Sequence, residues 1–261
     1  MTTYIIGDVH GQYEKLVALL RRENLITPQL DWAMGDATLC FMGDYFDRGP
    51  NGVGVVEFII HLQQQASQQG GIVHALLGNH EVAFLAAYRF GDHRQSKPFF
   101  TNWLDMGGVM DDMQHITPEQ IHWLSHLPAM LLVDNRLLIH ADSSIYTAYG
   151  ASVEEVNNNI THLLNSDDDV QWHKLLRQFR QRYEFLPFNW HGEKQPQGLA
   201  RAQAFLTIYG GVQIVHGHLP VFRLTNQAPE EVTEPYIYAD GLCVDVDPGM
   251  YKGGHGFIFR W

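Results

Sequence analysis

Three short stretches set oxygen and imidazole donors beside glycine: "GDVHG" at residues 7–11, "GDYFDRG" at 43–49 and "GNHE" at 78–81. They hold Asp8, His10, Asp44, Asp47, Arg48, Asn79, His80 and Glu81. Farther along come His140 in "LLIHAD" and the pair His216 and His218 in "VHGHLP". Carboxylates, imidazoles and an amide oxygen are hard-to-borderline ligands that suit Mn, Fe, Zn or a similar divalent ion, and not a soft thiolate site. One carboxylate can bridge two ions, and two ions about 3.5–4 Å apart can hold a hydroxide and clamp a phosphoryl oxygen. Such a pair supports in-line attack of metal-bound hydroxide on phosphorus. In that chemistry Asp44 reads as a bridging ligand. Arg48 reads as a planar, permanently charged clamp for phosphate oxygens. Asp47 reads as the partner that orients a histidine, and a histidine near the leaving oxygen would donate its proton.

Each stretch alone is an ordinary turn, because Gly, Asn and Asp dominate turns for local reasons. The set gains weight from where the stretches fall. "TYIIGDVHG" starts as a short buried strand at Tyr4–Ile6, and apolar residues at 13, 16, 17, 19 and 20 predict a helix over Tyr13–Arg22. "ATLCFMGD" is a second strand, followed by an amphipathic helix over Val53–Gln69 that Gly70-Gly71 stops. "GIVHALLGNHE" is a third strand, with a third helix at Glu81–Arg89. This alternation predicts parallel strands joined by crossover helices. In open α/β sheets, sites form beyond the carboxyl ends of the strands, so all three polar turns would open on one edge.

Downstream the pattern changes. Phe99–Ala129 is irregular and helical, with "TPEQIHWLSHLP" a capped helix. "AMLLVDNRLLIHAD" predicts a hairpin turning at Asp134-Asn135, and "YIYADGLCVDV" another turning at Asp240-Gly241. Val153–Tyr183 is polar and helical, with Asp167–Asp169 a solvated loop. "VQIVHGH" and "GFIFRW" are the remaining strands. One domain over residues 1–261 is expected, α/β at first and more antiparallel later, with no repeats and no long linker.

Composition narrows the function classes. With 45% hydrophobic and 18% charged residues the chain can bury a sizeable core. A net charge of −12 argues against a broad basic surface, hence against a nucleic-acid partner. Cys40 and Cys243 both lie in apolar runs and predict buried thiols in a reducing compartment. No secretory signal precedes the first motif, and no apolar run approaches the roughly 18 residues that span a bilayer. A cytoplasmic protein without a membrane partner is therefore expected. No P-loop, Rossmann glycine pattern, nucleophile elbow or zinc-protease helix is present, so kinase, dehydrogenase and serine hydrolase chemistries have no support.

The three motifs, in that order, resemble the calcineurin-like metallophosphoesterases. The "DRG" form is most similar to the serine/threonine phosphoprotein phosphatase branch, including its bacterial members. The motifs span residues 7–81, and His140 with "VHGHLP" extends the likeness to about residue 220. The resemblance implies an α/β fold, a four-layer sandwich of two mixed β-sheets flanked by helices. It implies that Asp8 and His10 bind a first metal, that Asp44 bridges, and that Asn79, His140 and His218 bind a second. It makes His80 the general acid held by Asp47, and Arg48 a phosphate-binding arginine. The implied cofactors are two divalent ions, manganese first, with iron or zinc as alternatives.

The chain also departs from the family pattern. After the hairpin histidine the family usually shows Gly-Gly or Ala-Gly, whereas "HADSS" places Asp142 there. Asp142 reads either as a turn residue or as a modifier of the second metal. The second phosphate arginine is not marked, and Arg182 and Arg201 are both candidates. His216 reads as a strand residue or a partner behind the site. His255, in "DPGMYKGGHGF", reads as an edge of the pocket or part of a glycine turn. Helical segments at about 84–130 and 145–210 would line the pocket, with Trp103, Trp123, Trp172 and Trp190 as walls or core. The leading expectation is a two-metal enzyme hydrolysing phosphate monoesters, on a phosphoprotein or a small ester, like the serine/threonine protein phosphatases. A symmetric dinucleoside polyphosphate hydrolase is the alternative, since those enzymes resemble this chain in "GDVHG" and "GNHE" but commonly depart from "DRG". A catalytically silent metal-binding interaction module is the third. Oligomeric state is left open.

Overall fold

The structure, a computed structural model, describes residues 2–91 and 97–261. Its first third alternates β1 (Thr3–Ile6), α1 (Tyr13–Arg22), β2 (Thr38–Phe41), α2 (Gly52–Gln68), β3 (Ile72–Ala75) and α3 (Asn79–Phe90). There follow α4 (Lys97–Asp105), α5 (Met110–His115), α6 (Pro118–Ser125), β4 (Met130–Val133), β5 (Arg136–Ile139), α7 (Val153–Leu164), α8 (Asp169–Phe179) and α9 (Gly198–Tyr209). The chain closes with β6 (Gln213–His216), α10 (Val221–Thr225), β7 (Tyr236–Tyr238), β8 (Cys243–Asp245) and β9 (Phe259–Arg260).

Local signals account for several boundaries. Asn51 caps α2 by accepting from the Gly54 amide at 2.8 Å. Thr117 and Gln120 close a capping box around Pro118 at the start of α6. Asp134 and Asn135 both take left-handed φ, 46° and 63°, which the two-residue turn between β4 and β5 requires.

The strands form two mixed sheets. The first has the order β3-β2-β1-β9, with β1, β2 and β3 parallel and β9 antiparallel to β1. The second has the order β4-β5-β6-β8-β7, with β5, β6 and β8 parallel and β4 and β7 antiparallel at its two edges. Alternation along the strands builds the layers, since successive side chains point to opposite faces. Ile5, Cys40, Met42, Leu76, Leu138, Val215 and Val244 pack together from both sheets. Their neighbours Ile6, Leu39, Phe41, Ala75, Leu137, Ile139 and Ile214 join the larger core under the helices. Strands buried on both faces read as unbroken apolar runs, which is why their sequences show so little alternation. A fully buried aliphatic side chain of this kind contributes about 1.5–3 kcal/mol.

The expected four-layer sandwich of two mixed sheets flanked by helices is the one observed. Differences are local. The polar stretch Val153–Tyr183 divides into α7 and α8. The run Asp167–Asp169 is not simply loop, because Asp168 caps α8 by accepting from the Gln171 amide at 3.1 Å. Helix α3 starts at Asn79, two residues before the periodicity places it, so "NHE" is a first helical turn. Residues 92–96 of the helical segment at about 84–130 lie outside the described residues. Cys40 and Cys243 are buried free thiols. No helix among the described residues is long and apolar enough to cross a membrane.

Candidate active site

The parallel strands of both sheets end on the site. Beyond β1 lie Asp8 and His10, beyond β2 Asp44, Asp47 and Arg48, and beyond β3 Asn79 and His80. His140 follows β5, His218 follows β6, and Asp247 follows β8. Five of these residues hold left-handed backbone: His10, Asp44, Asp47, Arg48 and His218, with φ of 49°, 55°, 68°, 66° and 73°. Non-glycine residues in that region persist only where their surroundings over-determine them. Gly43 shows the crowding, because a Cβ there would lie 2.8 Å from Gly78 Cα and 2.9 Å from His140 Nδ1.

Asp44 sits at the centre. Its Oδ1 accepts from the His80 amide at 3.0 Å and lies 3.3 Å from His140 Nε2. Its Oδ2 lies 3.5 Å from His10 Nε2 and 3.8 Å from His80 Nε2. Two donor groups share it: His10, Asp44 and His80 bring ligand atoms within 4.8 Å of one another, and so do Asp44, His140 and His218. Glu81 holds the loop in place by accepting from the amides of Asp44, Tyr45 and Gly78 at 2.8, 2.7 and 2.9 Å. Burial and the nearby Asp44 charge push Glu81 up to about 8, against the pull of those three amides.

The donor set fits a divalent cation. His140 Nδ1 donates to the Met42 carbonyl at 2.8 Å, so Nε2 of the neutral ring is an acceptor. That nitrogen faces two further acceptors, Asn79 Oδ1 at 3.0 Å and Asp44 Oδ1. His218 Nε2 is buried with no hydrogen-bond partner. Convergent lone pairs with no proton among them call for a positive charge. Burial lowers the pKa of His10, His140 and His218, which favours the neutral form that ligates a metal. Burial opposes charge on Asp44, but the imidazoles around it outweigh that and hold the carboxyl well below its usual range. Asp8 is set differently. Both its oxygens accept from the His218 amide at 3.1 Å, and its Oδ2 is 3.9 Å from His10 Nε2. Burial, then Asp247 and Asp44, raises its pKa well above the usual value.

The other half of the site is built for proton and phosphate. His80 Nδ1 donates to Asp47 Oδ2 at 2.5 Å, and Asp47 Oδ1 accepts from the Trp103 indole at 2.8 Å. Arg48 donates to His10 Nε2 and His80 Nε2, each at 2.9 Å, and its guanidinium lies 4.3 Å from the centre of the Tyr251 ring. A cavity of about 190 Å³ opens over His80, Asn79 and His218, walled by Arg48, Arg180, Arg182, Arg223, Trp190 and Tyr251. Burial lowers the Arg182 pKa, with the charges of Arg223, Arg48 and Arg180 adding to it. A larger cavity of about 640 Å³, beside Ile60, Val73 and Trp123, carries none of the metal-ligand candidates.

Several sequence expectations sharpen here. Arg182 reaches the pocket, whereas Arg201 pairs with Glu184 at 3.5 Å outside it. His255 is exposed and lines a separate groove with Tyr4 and Arg22, so the pocket edge in that tail is Tyr251. Asp142 is a buried strut: it accepts from the Phe185 amide at 2.6 Å and the Tyr238 hydroxyl at 2.8 Å, and burial pushes it up to about 7. His216 is buried against the Tyr238 hydroxyl at 2.7 Å. Of the tryptophans, Trp103 and Trp172 are core, Trp123 lines the larger cavity, and Trp190 stands 63% exposed at the pocket rim. Sequence reading passed over Arg180, Arg223, Tyr251 and Asp247. The strand-end rule would have found Asp247, since "CVDVD" ends in carboxylates as the first strands do.

Known proteins match this chain over most of its length. A symmetrical bis(5'-nucleosyl)-tetraphosphatase from Enterobacter sp. (strain 638) is 29% identical over 90% of this chain and 73% of its own. The cold-active protein tyrosine phosphatase of a psychrophilic Shewanella sp. has a similar fold, with a TM-score of 0.70 at 24% identity, covering 99% of this chain and 74% of that one. A serine/threonine phosphatase from Saccharomyces cerevisiae shares the fold at a TM-score of 0.53 and 16% identity, over 95% and 67% of the two chains. The family model for calcineurin-like phosphoesterases matches residues 1–222, from β1 through the His218 turn, and the chain belongs to that family of divalent-metal phosphoesterases.

Proposed function

We propose that this chain hydrolyses dinucleoside polyphosphates, working as one domain in the cytoplasm with two divalent ions, manganese first. The observation that carries the choice of substrate is the ring of four guanidiniums, Arg48, Arg180, Arg182 and Arg223, around one small cavity. A single phosphoryl group needs one or two such forks, whereas a polyphosphate chain offers anionic oxygens to all four. The tetraphosphatases among its relatives support the same reading.

In this reading Asp8, His10 and Asp44 would hold a first ion, and Asp44, Asn79, His140 and His218 a second. When bound, the ions would offset phosphoryl charge and lower the pKa of an attacking water. Arg48 binds a non-bridging oxygen and orients the phosphoryl group. Asp47 keeps His80 in the tautomer whose Nδ1 donates to it, and Trp103 keeps Asp47 from turning away. With Arg48 drawn from His80 Nε2 onto the phosphoryl oxygen, that nitrogen is free to carry a proton, which it gives to the leaving oxygen. The water oxygen forms the new P–O bond and releases a proton to solvent, one P–O–P bond breaks, and the departing nucleoside diphosphate takes the electron pair and the His80 proton.

A second reading has its own observation. The Asp47-Arg48-Gly49 run favours phosphate monoesters, as in the serine/threonine protein phosphatases that the sequence resembles. The test compares diadenosine tetraphosphate with para-nitrophenyl phosphate and a phosphoserine peptide on manganese-loaded protein. The proposal expects ADP as the sole nucleotide product and a kcat/KM at least about tenfold higher for the dinucleotide, a difference of about 1.4 kcal/mol. A higher kcat/KM for either monoester overturns it.

A further inference from the structure

Behind His140 and His218 runs a buried polar chain that touches no reacting atom. Tyr238, on edge strand β7, reaches past β8, where its hydroxyl donates to Asp142 Oδ2 at 2.8 Å and accepts from His216 Nε2 at 2.7 Å. His216 Nδ1 lies 3.0 Å from the Gly217 carbonyl, and the Gly217 amide donates to the His140 carbonyl at 2.9 Å. Asp142 Oδ1 accepts from the Phe185 amide at 2.6 Å. His216, Asp142 and Tyr238 are 0%, 1% and 6% exposed. The hydroxyl of Tyr238 thus ties together two strand ends, each carrying a metal-ligating candidate two residues from its anchor: His218 from His216, and His140 from Asp142.

The need for such an anchor is visible at His218. Its backbone is left-handed at φ 73°, and its Nε2 has no hydrogen-bond partner. The tip of the ring is therefore not fixed by a partner of its own, and its direction depends on the backbone beneath it. His140, by contrast, is fixed through Nδ1 by the Met42 carbonyl.

With His140 and His218 read as ligands of the second ion, as proposed above, we propose that Asp142 and Tyr238 are positioning residues that set the spacing of this pair and so the affinity of the second site. The first site, built from Asp8, His10 and Asp44 beside the other sheet, meets this chain only indirectly, through the His218 amide that both Asp8 oxygens accept and through Asp44 beside His140.

Manganese titration of the full chain, stripped of metal and followed by calorimetry, tests this. The wild type should bind two ions in resolvable steps. Asp142→Ala should weaken the second step by about 10–100-fold, the range for an outer partner of a ligand, and the first step by clearly less. Asp142→Asn should stay close to wild type, because its carbonyl still accepts from Phe185 and its amide can donate to the Tyr238 oxygen. Should Asp142→Ala fail to fold, Tyr238→Phe must show the same selective loss. Equal weakening of both steps with a lowered melting temperature of the metal-free protein would make the chain merely structural and overturn the proposal. Two normal steps in Asp142→Ala, or in Tyr238→Phe where that variant stands in, overturn it as well. A wild type that binds fewer than two ions fails the metal reading itself, and is seen before any variant is made.

Discussion

Residues before Phe90 and residues after Met130 both supply the site, by different means. Asp8, His10, Asp44, Asp47, Arg48, Asn79 and His80 come from two loops and one helix start. Glycines flank these segments, and left-handed φ values recur at His10, Asp44, Asp47 and Arg48. Their geometry is written in the backbone next to them. His140, Arg182 and Tyr251 lack left-handed backbone of their own, and at His218, where φ is 73°, the turn does not by itself aim the ring. His140 is fixed by Met42 across 98 residues, and the His218 amide by Asp8 across 210. A motif can specify the first kind of residue. Only sheet pairing and packing can specify the second.

Asp44 is where the two halves meet, and removing its charge should have the largest effect. Asp44→Asn should abolish binding at both metal sites, a loss beyond the roughly 10–100-fold expected of an outer partner. Activity should fall by at least about 10²–10³-fold, as when a charge-stabilising contact is removed from a transition state. Metal content by elemental analysis and kcat/KM on the loaded protein check this. Retention of one tightly bound ion would mean that the halves are independent and that Asp44 does not bridge them.

The arginines sharpen the comparison within the second half. Arg182→Ala should lower kcat/KM by about 10–100-fold, since a hydrogen bond to a charged group is worth about 1.5–3 kcal/mol. Arg201→Ala should stay within about 1 kcal/mol of wild type in stability and leave kcat/KM unchanged, because its partner Glu184 lies at the surface. Equal losses in both variants would show that position in the pocket is not what matters.

The smallest effect tests whether the first half is truly local. Asp112, on α5, accepts from the Val53 amide at 2.9 Å at the start of α2, next to the second motif. Burial pushes its carboxyl up to about 6, against the pull of that amide. A folded-state value above the unfolded one means the native protein keeps this proton to higher pH. Stability should therefore fall as pH rises from about 4 to about 6 and stay level above that, by about 1 kcal/mol once solvent screening reduces the full linkage value. Denaturant titrations across that window should show the slope, and Asp112→Asn should flatten it. A wild type with no slope there would remove Asp112 from the account of α2.

How legible the chain was depends on how far each interaction reaches. The three polar turns, the parallel alternation and the two hairpin turns were plain because they depend on residues a few positions apart, through φ, capping and side-chain period. Helix α3 was placed late because its first turn is polar and buried, so Asn79, His80 and Glu81 break the apolar spacing that marks a helix. Asp142 offered a turn-forming residue type, and that type said nothing of Tyr238, 96 residues away. By itself the sequence determined which donors exist, in what order, and which backbone bends carry them. The tertiary structure decided that Arg182 and not Arg201 faces the pocket, that Tyr251 and not His255 edges it, and that His216 lies behind the site. The physical reason is that a turn is closed by neighbours in the chain, whereas a side chain's direction into a shared crevice is set by what packs on its other side.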